Sequence, residues 1–195
     1  MPNLRALTIA VTWAALTSGA WAQQAPATQP PAARTPPSFM GPCSTLSCEV
    51  EHDWSRNNAV AYLVAQAMPE DKYGFKPVPE EQSFGERVLH IAQINVDLLK
   101  TLGAKAPAPA VDPKATSKAA TMAALQKTGE YGVAVIKEFG DQGLNERVAS
   151  PFFMGPMATR QRILYFLMTH SQETYGQLVV YLRLNGIVPP LSRQP

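Results

Sequence analysis

The chain has 195 residues, with 17 Lys and Arg against 15 Asp and Glu, a formal net charge of +2. A balance this near neutral, with basic residues scattered singly, lacks the basic patch that a nucleic acid or an anionic membrane surface requires. The sequence contains no Ser/His/Asp arrangement, glycine-rich phosphate loop, H-E-x-x-H pair or dinucleotide fingerprint, so no motif of these kinds assigns a reaction.

Residues 1–22 read as a signal peptide. Arg5 supplies a positive start, residues 6–16 an apolar stretch, and Ala20-Trp21-Ala22 the small-x-small pattern that signal peptidase recognises. The apolar run is too short, and too interrupted by threonine, for a membrane span of roughly 20 residues. Export to the periplasm or medium is expected, with no membrane attachment after cleavage. Residues 23–50 form a Pro/Ala-rich extension, with six prolines in residues 23–42. It has too little apolar surface to offset the entropy of ordering. Cys43 and Cys48 close the extension. Their C-x4-C spacing differs from the redox C-x-x-C, so a structural disulfide worth about 2 kcal/mol is expected. His52, next to Asp53 and Trp54, reads as a solvated helix terminus.

Residues 51–195 are long enough for one domain with a substantial core. The first helix is expected over 53–68, stopping at Pro69. A turn-rich segment, 69–77, follows. Ser83 and Glu86 then form an S-x-x-E capping box that opens a helix ending before Gly103. After a Pro/Ala linker, Asp112 as N-cap and Pro113 at the first helical position predict a third helix that ends at Gly140. The fourth is expected over 157–185, closed by Gly186 and Pro189-Pro190. Four long helices without a convincing alternating strand predict an all-α four-helix bundle.

On a helical wheel, Ile163, Leu164, Leu167, Leu178, Tyr181 and Leu182 share one face of the fourth helix. His170, Ser171 and Thr174 fall on that same face. Burying such groups unpaired costs roughly 1–3 kcal/mol each, so they need partners. The second helix offers His90, at the border of an arc built from Phe84, Val88, Ile91, Ala92, Leu98 and Leu99. Tyr175 and Tyr181 read as packing residues, and Gln177 flanks the polar gap.

Two segments, AMPEDKYGFKPVPEEQSFGERVLHIA (67–92) and HSQETYGQLVVYLRLNGIVPP (170–190), resemble the DinB/YfiT-like superfamily of metalloenzymes. The resemblance implies an antiparallel four-helix bundle, often dimeric. It also implies a zinc or nickel ion held by three histidines, one on the second helix and two standing four residues apart on the fourth. His90 matches the first position and His170 the second. The third position is Thr174, whose hydroxyl is a poor ligand for these ions. Glu173, nearest in sequence, points about 60° from His170 on the wheel. Glu86 lies on the His90 side, where it would orient the ring from outside the coordination sphere. The resemblance therefore implies an exported bundle with a partly degenerate metal site, weakly metal-binding or non-catalytic. The alternative it implies is a divalent-metal enzyme of thiol transferase or hydrolase type using His90 and His170. A bundle with no ligand at all is the blandest reading. A homodimer and a small-molecule ligand are expected partners, and a nucleic acid is not.

Overall fold

The computed structural model describes residues 41–193. The signal-peptide segment 1–22 and most of the Pro-rich stretch lie outside the described residues. Four helices dominate: α1, Leu46–Ala67; α2, Phe84–Lys100; α3, Lys118–Asn145; and α4, Arg160–Leu184. Two three-residue strands, β1 (Arg147–Ala149) and β2 (Met157–Thr159), pair antiparallel between α3 and α4. The expected all-α bundle is the fold.

Capping explains where the helices begin. Ser83 and Glu86 make the predicted box, with Glu86 N–H donating to Ser83 Oγ at 3.3 Å and Ser83 N–H to the Glu86 carboxylate at 2.6 Å. Helix α1 starts at Leu46, seven residues before its expected start, because Thr45 Oγ1 accepts from Cys48 N–H at 3.3 Å. Residues 46–50, assigned to the extension, therefore belong to the bundle. Helix α3 starts at Lys118 and not at Pro113. Asp112 Oδ1 accepts from Lys114 N–H within a turn, while Ser117 Oγ caps the helix through Ala120 N–H. Gly140, the expected end of α3, is a kink at φ 54°, a conformation that suits glycine, and the helix resumes to Asn145. Helix α4 starts at Arg160, capped by Thr159. It closes on Gly186 at φ 70°, with Ile187 N–H donating to Leu182 C=O at 2.9 Å.

Around the bundle the order is α1, α3, α2, α4, each packing on its neighbours, with α1 and α2 on opposite corners. Two apolar clusters fill its two ends. One joins Val50 and Trp54 of α1 with Leu99, Val135, Ile136, Ile163 and Leu164. The other joins Ala61 and Val64 of α1 with Phe84, Val88, Leu125, Leu178 and Leu182. Following the chain through these clusters, α1 and α4 run one way and α2 and α3 the other. The neighbouring pairs α1/α3 and α2/α4 are thus antiparallel. The linker 101–117 carries the chain back along the bundle between α2 and α3. Among the described residues, no helix is long and apolar enough to cross a membrane.

Candidate metal centre and its polar layer

Between the two apolar clusters, all four helices place polar residues on their buried faces. Thr128 of α3 has a buried hydroxyl with no hydrogen-bond partner among the described residues. The others are Asn57 of α1, Asn95 of α2, and Ser171 and Thr174 of α4, all 7% exposed or less. Their partners are specific. Asn57 Nδ2 donates to Met168 C=O at 2.8 Å, tying α1 to α4. Ser171 Oγ donates to Asn95 Oδ1 at 3.3 Å, tying α4 to α2. Satisfied in this way, the groups escape the penalty of unpaired burial and fix the register of the helices.

At the edge of this layer the two predicted histidines meet. Nε2 of His90 lies 2.9 Å from Nε2 of His170, with the rings edge-on at a centroid distance of 5.1 Å. One ring must donate and the other accept, so at least one imidazole is neutral. Burial lowers the pKa of His90 below its usual 6.5, and the nearby His170 ring and Arg87 guanidinium lower it further. Phe166 stacks parallel to His170 at 6.0 Å and holds its plane.

The remaining predicted residues do not converge on the imidazoles. Thr174, 2% exposed, donates its hydroxyl to the His170 carbonyl at 3.2 Å, so it looks back along its own helix. Glu173, largely exposed, approaches Nδ1 of His170 at 3.8 Å, the opposite side of the ring from His90. Glu86 is occupied by the capping box and lies 3.8 Å from Lys76. Its hydrogen bonds to Ser83 hold its carboxyl below the usual range. Two imidazoles and a threonine hydroxyl fall short of the three-ligand set that zinc or nickel takes from protein in an open site. That donor set does not fit tight binding of either ion.

Arg87, on α2 one turn before His90, was not singled out in the sequence. Its guanidinium donates to Tyr181 Oη at 3.1 Å and to Gln177 and Glu81, while Tyr181 Oη donates to Gln82 C=O at 2.7 Å. Tyr181 is therefore more than a packing residue, and Gln177 faces this network. Asn57 and Asn95 were also missed. Each is a polar residue on an apolar helical arc, the same signal that marked His170. A surface groove of about 480 Å³, lined by Ser55, Asn58, Tyr62 and Leu125, does not include either histidine.

A second cluster gathers at the start of α1. Cys43 and Cys48 form the expected disulfide, with sulfurs 2.01 Å apart. His52, expected to be solvated, is half-buried against it, with Nδ1 3.4 Å from Cys43 Sγ. Among the described residues, this is the one group of three His, Cys, Asp or Glu side chains whose ligand atoms lie close enough to hold a metal ion.

The depressed pKa of His90 has a measurable consequence. Between its folded pKa and 6.5 the unfolded chain binds more protons than the native one, so stability rises with pH across that window. The contribution is complete above 6.5 and is lost as pH falls toward the folded value. Melting temperature should therefore fall as pH is lowered through and below 6.5, and His90→Gln should flatten part of that slope. An unchanged slope in the variant would show that His90 does not titrate in this way.

The model of the DinB superfamily matches residues 51–178, a span that includes both histidines and Thr174. No curated protein matches the chain. The fold is similar to the crystal structure of a DinB-like protein from Bacillus cereus, at 18% identity and a TM-score of 0.65, covering 75% of this chain and 96% of that one. It is also similar to the DinB-like protein YjoA from Bacillus subtilis, at 18% identity and a TM-score of 0.58, covering 75% and 99% respectively. With the family pattern spanning the bundle from α1 into α4, the chain belongs to the DinB superfamily.

Proposed function

We propose that this protein is an exported DinB-family bundle whose superfamily metal site has degenerated into a polar layer, binding zinc or nickel weakly and doing no metal-dependent chemistry of its own. The observation that carries this reading is Thr174. It stands four residues after His170, on the same helix face, and spends its hydroxyl on a backbone carbonyl. Two imidazoles remain, and each extra protein ligand that is missing weakens the hold on the ion. Export is supported by the signal-peptide pattern of residues 1–22 and by the Cys43–Cys48 bridge, which persists in oxidising compartments. A homodimer and a small-molecule ligand accommodated near the His90–His170 edge complete the reading, without nucleic-acid or membrane contact.

A second reading keeps catalysis: a thiol transferase or hydrolase using His90 and His170 as metal ligands. It is favoured by the convergence of the two Nε2 atoms from different helices. Untagged, oxidised protein separates the two. Metal analysis after desalting should find no stoichiometric zinc or nickel, and added zinc should leave the melting temperature nearly unchanged. Stoichiometric metal that disappears in His90→Gln and in His170→Gln would overturn the degenerate reading in favour of the enzyme.

A further inference from the structure

We propose that Cys43, Cys48 and His52 form a second cation site, distinct from the His90–His170 pair, which exists only when the disulfide is reduced and then takes zinc(II) on two thiolates and one imidazole. The ligand types and their spacing, C-x4-C-x3-H, suit this ion. Cys48 and His52 stand at i and i+4 in the first turns of α1, so they project from one face. Cys43 is brought over them by the short segment that Thr45 caps, with its Cα 5.6 Å from that of Cys48.

The imidazole already lies about as far from both sulfurs as a shared tetrahedral ion would place it. Its Nε2 is 3.8 Å from Cys43 Sγ and 3.9 Å from Cys48 Sγ. Metal–ligand lengths of about 2.3 Å for sulfur and 2.0–2.1 Å for nitrogen place tetrahedral S···N neighbours at about 3.5 Å and S···S neighbours at about 3.8 Å. The sulfurs, once their bond is broken, must move apart and the ring must turn a nitrogen toward them, and side-chain rotation supplies both. Cys48, third residue of α1, lies where the helix N-terminus favours a thiolate. The start of α1 is also fastened independently of the bridge, because Ser47 N–H donates to Asp141 Oδ1 of α3 at 2.8 Å. Cys48 and His52 therefore keep their places when the bridge opens, and Cys43 stays two residues from the capping Thr45. All three residues are partly exposed, so reductant and ion can enter and a water can take the fourth position.

The chemistry balances in two steps. A dithiol, or in the assay a trialkylphosphine, gives two electrons to the disulfide. The S–S bond breaks and each sulfur gains a proton, while the phosphine takes an oxygen from water to become its oxide. Zinc then displaces the two thiol protons to solvent and binds both sulfurs and the neutral imidazole. Under oxidising conditions the same residues hold no ion, so the site couples cation capture to the redox state of its surroundings.

Cobalt(II) tests this, because thiolate ligation gives it a charge-transfer band and tetrahedral geometry an intense visible spectrum. The untagged full chain would be titrated oxidised and after phosphine reduction, in both the native sequence and a His90→Gln/His170→Gln background. One equivalent should bind to the reduced protein only, with the thiolate band, in both backgrounds, and zinc should displace it. Cys43→Ser and His52→Ala should each weaken binding by at least about tenfold, with circular dichroism confirming that the helices persist. Absence of the thiolate band from the reduced protein would overturn the site, as would His52→Ala binding cobalt unchanged. Binding confined to the native His90/His170 background would assign the ion to the other pair. It would then count against the degenerate reading, leaving the two proposals separable.

Discussion

Trp54→Ala is expected to destabilise the bundle by roughly 3–5 kcal/mol, the range for truncating a large buried aromatic. Trp54 is 1% exposed and sits in the cluster where α1, α2, α3 and α4 meet. Its indole Nε1 donates to the Gly129 carbonyl at 2.9 Å, which loses that partner in the variant. The ring lies flat against α3 because residue 132 is glycine: a Cβ there would fall 2.1–2.3 Å from three indole atoms. Against a total stability of about 5–15 kcal/mol, the loss should shift the denaturant midpoint strongly without changing the slope. Gly132→Ala approaches the same contact from the other side. The clash should cost about 1–3 kcal/mol or more, despite alanine's better helix propensity. Combined with Trp54→Ala, that cost should largely vanish, because the clashing ring is gone. Additive losses would mean that the two residues are not in the contact described.

The fold was legible where one local signal stood alone. Ser83 and Glu86 are the sole capping box ahead of α2, and Gly186 with its prolines is an unambiguous stop after α4. Legibility failed where two cap-competent residues competed. Asp112-Pro113 is a strong helix start by sequence, but the Asp112 carboxylate closes a turn on Lys114, and Ser117 caps α3 instead. Thr45 was masked by the proline-rich stretch before it. The β1–β2 pair could not be seen, because three residues per strand are too few for alternation to register. At the site, the wheel marked His170 as a polar residue on a buried face and offered His90 as its partner, and the resemblance gave both a ligand role. What neither could give was direction. Thr174 pointing at a carbonyl, Glu86 committed to a cap and His52 leaning on the disulfide are all rotamer choices set by packing from distant segments.

Thr174→His should turn the polar layer into a tight metal centre. The new imidazole would stand four residues from His170 on the face that meets His90, completing the three-nitrogen set that the family resemblance implies. Since outer-shell partners alone alter metal affinity roughly 10–100-fold, a third direct ligand should raise zinc affinity by at least about a hundredfold. The same substitution enlarges a residue that is 2% exposed, so without metal the variant should be less stable than the native protein by about 1–3 kcal/mol. With zinc at about 100 times the dissociation constant, binding contributes about 2.7 kcal/mol and rises further with concentration. The stability order of native and variant protein should therefore invert as zinc is added, a crossing that packing alone cannot produce. Thr174→Gln, similar in bulk and polarity without an imidazole, should be destabilised and stay so. Adding His170→Gln to Thr174→His should abolish the crossing. Native protein that already binds zinc as tightly as Thr174→His would show that His90 and His170 suffice, and the degenerate reading would give way to the metal-dependent enzyme.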